Sequence, residues 1–296
     1  MFEIWDILRP LAKFCLYLAM FTAAGGLIFE LLFRHLVADA TRRHVSRLIG
    51  TAAWTGLVLV GARLAVAAGS LGGDLASATD PVLLGLVLKS PLGLSSVVAG
   101  IGFAMITVIG RVKARGERTA RVVAAATVLL SLTVVGHATT LGAITGVLLA
   151  LHVAGVAFWL GSLLPLRQMC GDAVSADSAA VLAEVAGRFG WIAQRVVAVL
   201  IVAGVAYAAI LTGSILALLT SGYGLALLAK IGFGAGLLGL AARNRFRIVP
   251  ALQAGDLSAA LRLRQSIDRE IIFALAILVM SSLLTSSLTL PMKAMG

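Results

Sequence analysis

The sequence predicts an all-α fold: a polytopic membrane helical bundle of about eight transmembrane helices, forming a single membrane domain over residues 1–296. Hydrophobic residues make up 60% of the 296-residue chain and charged residues only 12%, about half the charge that a soluble domain carries. Mean hydropathy is +1.04, which places the chain in lipid. Its apolar stretches are unbroken and rich in Leu, Ala and Val, without the alternation of a barrel strand. Backbone groups in hydrocarbon must then be satisfied within helices.

A helix needs roughly 20 apolar residues to cross a hydrocarbon core of about 30 Å. Runs of that kind fall at 12–33, 48–68, 91–110, 119–137, 147–166, 190–212, 223–241 and 271–290. Upstream of the third, Pro81, Lys89 and Pro91 interrupt a hydrophobic run that starts near Val82. Segment 82–110 therefore reads as one bent helix or as a re-entrant piece followed by a helix. Segment 255–270 carries Leu257, Leu261 and Ile267 among arginines, the pattern of a stretch lying along the inner membrane surface.

Lys and Arg load alternate connections. Arg34, Arg42, Arg43 and Arg47 follow the first run, and Arg111, Lys113, Arg115, Arg118 and Arg121 follow the third. Arg167 and Arg188 flank the fifth connection. Arg243, Arg245, Arg247, Arg262, Arg264 and Arg269 fill the seventh. The connections at 69–81, 138–146 and 213–222 hold no basic residue. Basic loops stay inside, so this parity predicts eight helices with both termini outside. The net charge of +11 is a topology signal, and no nucleic-acid footprint follows from it. Cys15 and Cys170 lie far apart with no paired spacing, which gives no disulfide framework. The N-terminus has acidic residues and no basic n-region or small-residue cleavage site, and reads as mature chain.

Polar groups at membrane depth are costly and therefore candidates for function. His137 and His152 lead. The turn between the fourth and fifth runs centres near Leu141–Thr145, and each histidine lies about seven residues from it. At about 1.5 Å rise per residue, antiparallel neighbours would carry both imidazoles at similar depth, below the outer surface. Such a pair suits Cu(I) or another transition metal, or the two axial positions of a haem b iron. Histidines that only hydrogen-bond between helices are the plainer alternative. Trp159 falls seven residues after His152, on the same helical face, where it either flanks the site or serves as a core aromatic. Among soft sulfur ligands, Cys15 and Met20 lie on the outer half of the first helix. Met292 and Met295 form an external Met-x-x-Met. Met169 and Cys170 face the cytoplasm. Any single Met is also a routine gap-filler. Lys230 lies deep in the seventh run and needs a partner or a wet cavity. Glu30 sits near the inner end of the first helix, and Arg63 and Arg195 read as snorkelling or paired anchors near helix ends. His35 and His44 belong to a basic, solvated loop. Nothing in the chain matches a Walker loop, a phosphorylated aspartate motif, a CPC triad or a hydrolytic constellation, and no enzymatic role is expected.

Two blocks carry a family resemblance. GHATT at 136–140 with LHVAGVAFWLGSLLPL at 151–166 forms the first. The second comprises FGWIAQRVVAVLIVAGV from Phe189, YGLALLAKIGFGAGLLGLAARNRFRIVPAL from Tyr223, and RQSIDREIIFALAILVMSSLLTSS from Arg264. Together they resemble the bacterial copper-resistance protein D (CopD) family, with Phe189-Gly190-Trp191 departing from the usual Phe-Ser. The resemblance divides the chain into helices 1–5 over 12–166, with the His137/His152 hairpin, and CopD-like helices 6–8 over 189–290. It implies a multi-pass protein of the bacterial inner membrane, with periplasmic termini, that moves copper toward the cytoplasm. It also implies a separate periplasmic copper-binding partner of the CopC type, copper ligation by His137 and His152, and motif positions at Lys230 and Asn244.

Three readings stand at this point: a copper permease, a haem-bearing membrane oxidoreductase or electron-transfer subunit using the same histidines, and a structural or sensory partner whose histidines only cap helices.

Overall fold

The computed structural model describes residues 4–110, 116–134, 143–212 and 222–286. Within them the chain is a helical bundle, and no strand occurs among the described residues. In chain order the helices are α1 (Ile4–Phe33), α2 (Asp39–Gly72), α3 (Pro81–Leu88), α4 (Pro91–Ile109), α5 (Glu117–Leu130), α6 (Ala143–Asp172), α7 (Ala176–Thr212), α8 (Gly222–Arg243), α9 (Val249–Gln253) and α10 (Ser258–Ser286). A π turn, Asn244–Ile248, joins α8 to α9. Within the described residues each expected apolar run falls mainly on one of these helices; the fourth follows α5 only to Leu130, and the ends of the runs at 119–137 and 271–290 lie outside the described residues. Six helices are long and apolar enough to cross a membrane.

The interrupted third segment resolves into two pieces, α3 and α4, separated at Lys89–Ser90. Each starts on a proline, where a missing N–H costs nothing, and each has a side-chain cap. Asp80 accepts from the backbone N–H groups of Val82 (2.7 Å) and Leu83 (3.1 Å). Ser90 Oγ accepts from Gly93 N–H at 3.3 Å.

Several helices run well past the apolar slab. Helix α2 has 34 residues and α7 has 37, or about 50 Å and about 55 Å at helical rise. Segment 255–270 is corrected here: it is no separate surface helix. From Ser258 onward it is continuous with the last apolar run as α10, because Leu263, Ser266, Ile267 and Glu270 continue the buried stripe of Ala274 and Leu278. Its start is fixed by Asp256, which accepts from Ser258 N–H at 2.9 Å and pairs with Arg262 at 2.6 Å. Gly255, with φ 92°, makes the left-handed reversal out of α9.

The basic ends gather at one end of the bundle. Arg121 of α5 pairs with Glu30 of α1, Arg188 of α7 meets His35 just beyond α1, and Arg167 of α6 pairs with Asp268 of α10. At the opposite end Lys13 Nζ, near the start of α1, donates to the Thr285 carbonyl of α10 at 2.9 Å. Among the described residues, the basic connections of the sequence thus collect at one end of the bundle.

Helix α1 forms the axis, packing on α2, α5, α6 and α10. Of its most apolar window 67% is buried, against 0% for the span that includes α8. Glycine allows the closest approach. A Cβ on Gly25 would lie 2.1 Å from Ala157 O, and one on Gly161 would lie 2.2 Å from the Gly25 carbonyl carbon. The backbones of α1 and α6 are in direct contact there, the small-residue packing of membrane helices.

Candidate functional site

Helix α6 presents its chemistry on one face. His152, Trp159 and Cys170 are spaced by seven and eleven residues, two and three helical turns. From His152 to Cys170 the axial rise is about 27 Å, close to the hydrocarbon thickness of about 30 Å. Helix α10 packs against this side of α6 and also against α8, so polar groups from three elements meet along one line.

At the outer end of that line, His152 is half-buried and its charged neighbour is Lys230 of α8. His137, Met292 and Met295 lie outside the described residues. Midway lies the most buried polar cluster of the three helices. Trp159 Nε1 donates to Glu270 Oε2 at 3.2 Å, and Asn244 Nδ2 donates to Glu270 Oε1 at 2.5 Å. Glu270 is 2% exposed, Trp159 4% and Asn244 9%. Both partners of the carboxylate are neutral, and no salt bridge reaches it among the described residues. Asn244 Oδ1 and the buried Ser266 Oγ, one turn before Glu270, have no hydrogen-bond partner there. Asn244 opens the π turn, whose extra residue changes the helix register; such turns concentrate at functional positions. Further toward the basic end, Arg167 pairs with Asp268. The buried free thiol of Cys170 lies beside Arg264, Arg167 and Asp268.

Sequence reasoning named His152, Trp159 and Lys230, and noted Asn244 and Cys170, but it missed Glu270. The available signal was the stripe Leu263, Ile267, Glu270, Ala274 and Leu278 at helical spacing, which puts Glu270 on an apolar face. Trp159 contacts Glu270 with its indole nitrogen and sets its ring edge-on to Phe189, centroids 6.2 Å apart.

Other candidates fall elsewhere. Met20 is fully buried, with 0% exposure, among the apolar side chains of the core. Cys15 is half-buried and free. Five residues apart, these two point to different sides of α1. Among the described residues no group of three or more His, Cys, Asp or Glu side chains is placed to hold a metal ion. Glu30 belongs to an ion-paired cluster: Arg121 reaches it at 2.8 Å and Glu117 at 2.5 Å. Arg63 lies nine residues short of the end of α2 and donates to Ser95 Oγ at 3.4 Å, so it is paired across helices. Arg195 lies over the Trp191 ring, 3.3 Å from its centroid, and donates to Trp191 O at 3.0 Å. That bond draws the exposed guanidinium back toward the basic end, as snorkelling requires.

The fold and the buried polar groups between α6, α8 and α10 define a helical membrane bundle with ionisable side chains in its interior. Two family matches make it specific: Copper resistance protein D over residues 183–284, and Copper resistance protein D-like, N-terminal domain, over residues 4–147. Together they cover most of the chain, and the chain belongs to the copper resistance protein D family. Its role lies in copper resistance or transport, in a multi-pass membrane protein. No curated protein and no solved structure matches it.

Proposed function

We propose that the chain carries copper across the bacterial inner membrane toward the cytoplasm, along the line from His152 past Trp159, Glu270 and Asn244 to Cys170. The observation that carries this reading is Glu270, a carboxylate buried in the bundle with neutral donors only. A buried carboxyl without a cation either keeps a proton or receives a cation, and a passing copper ion would displace that proton and supply the positive charge. His152 offers an imidazole for that ion at the outer end, and Cys170 a sulfur at the inner end, both suited to Cu(I). Asn244 Oδ1 and Ser266 Oγ, without partners, add oxygen donors around the carboxylate. Trp159 and Asn244 orient it.

In this reading α5 and α10 also cross, which makes eight spans with both termini outside. Copper arrives from a separate periplasmic protein of the CopC type, and His137, Met292, Met295 and Cys15 are outer capture positions. The protein is a carrier with no catalytic step.

Copper accumulation in cells expressing the intact chain, His152→Ala and Glu270→Gln, at matched membrane protein levels, tests the proposal. Accumulation is expected to fall to the background of cells without the protein in both variants. Unchanged accumulation in both sinks it. The absorption spectrum of the purified protein is the second measurement: a Soret band lost in His152→Ala would move the reading to haem ligation.

A further inference from the structure

Away from the copper line, the basic end holds a cavity of about 480 Å³ between the inner end of α1 and the starts of α2 and α5. Its lining includes Arg34, Arg42, Arg118 and Arg121 against Glu30 and Glu117, so positive charge is in excess. Arg121 is held by the two glutamates and Arg42 by Asp39. Arg34 and Arg118 are exposed and take part in no salt bridge among the described residues. Two further donors are unsatisfied. The Nε–H groups of Arg42 and Arg121 are buried without an acceptor among the described residues, a costly state for a charged donor.

A second, smaller cavity of about 150 Å³ adjoins the first and shares Glu30 and Arg121 with it. Beyond those two residues its walls are mostly apolar, with Leu27, Ile49, Trp54 and Ile106 beside Ser46 and Thr107, and Trp54 is 51% exposed. A Trp at the level where charged and apolar walls meet is the aromatic signature of the membrane interface.

We propose that the joined cavities form a binding site for an anionic phospholipid of the inner leaflet. The phosphate takes the arginine-lined cavity, with Arg34 and Arg118 as its open partners, and the start of an acyl chain lies in the apolar one. Charge complementarity selects the occupant. Guanidinium forks suit phosphate oxygens, and basic pockets between membrane helices on this side are where anionic headgroups are held. The apolar extension distinguishes a lipid from a free anion, which has no use for Leu27 or Trp54. The proposal does not depend on copper transport.

The test uses the full chain, delipidated in detergent, and reads binding and thermal unfolding with phosphatidylglycerol, phosphatidylcholine and inorganic phosphate as separate probes. Phosphatidylglycerol is expected to bind saturably and raise the unfolding temperature, with phosphatidylcholine much weaker. In the double variant Arg34→Gln/Arg118→Gln the phosphatidylglycerol affinity is expected to fall roughly 30-fold, from the loss of two basic contacts of surface-site strength. The control pair Arg43→Gln/Arg47→Gln removes equal charge from residues outside the lining and is expected to leave the affinity within about twofold. Equal binding of the two lipids, or an equal loss in the control pair, overturns the proposal. So does full protection by inorganic phosphate alone, which would make the occupant a free phosphate.

Discussion

Two glutamates of the bundle are buried in opposite ways. Glu30, on α1, is met by Arg121 at 2.8 Å, and that guanidinium is shared with Glu117. Glu270, on α10, is more deeply buried and meets only an indole N–H and an amide N–H. The first is a closed ion-paired cluster that ties α1 to α5 beside a cavity. The second is a carboxylate held in position without charge compensation, between the three helices that carry the family's motifs. A membrane bundle gains from the first arrangement as structure. The second is costly, and in the proposed transport that cost is offset when the carboxyl receives a cation.

The largest effect expected from breaking this contrast is on the paired side. Arg121→Ala leaves Glu30 buried without its cation, which costs about 3 kcal/mol, the lower end for a broken buried pair because the adjoining cavity admits water. Thermal unfolding in detergent measures it, and Arg121→Leu/Glu30→Leu is expected to recover most of the loss.

On the other side the effects on stability are smaller and those on transport larger. Trp159→Phe removes one donor from the Glu270 carboxylate and is expected to cost about 1–3 kcal/mol. It should also weaken copper uptake roughly 10–100-fold, as for a group that orients a ligand. Glu270→Gln keeps the shape and removes the charge, so unfolding should move little while uptake is lost. If Glu270→Gln instead unfolds the protein as severely as Arg121→Ala, the two carboxylates are both structural and the contrast collapses.

The smallest effect concerns Asp256, which neither site uses. Arg262, and then Ser258, hold its carboxyl down to about 2. A depressed carboxylate stabilises the fold above its ordinary value and loses that contribution as pH falls through about 2. Asp256→Asn should therefore differ slightly from the parent at neutral pH, and the difference should vanish near pH 2, read as helicity in detergent.

Much of the architecture was legible because membrane helices and the positive-inside bias are local properties of sequence. The runs at 12–33 and 48–68 and the four basic connections needed no tertiary contact to be read. The break at Lys89–Ser90 was marked by Pro91, yet choosing between a bent and a broken helix required the Ser90 cap. The site was legible only in part. His152 and Lys230 stood out as polar groups in apolar runs. Glu270 did not, because it follows Asp268 and Arg269 and reads as the end of a charged surface stretch until α10 is known to be continuous. Met20 is ambiguous for the opposite reason: thioethers fill cores as readily as they bind copper, and its sequence neighbours do not distinguish the two.

The contact between Gly25 and Gly161 has a mechanical consequence. With backbone against backbone, α1 and α6 have no layer of side chains that could change rotamer and let one slide along the other. The His152–Trp159 face is therefore carried on a fixed post. Helix α8, with none of its most apolar window buried, has no comparable contact among the described residues: a Cβ on Gly232, Gly234 or Gly239 would meet nothing within 4 Å, and one on Gly236 would meet the Phe273 ring. In the proposed transport, the side of the polar groups free to move is therefore α8, while α6 holds His152, Trp159 and Cys170 in place.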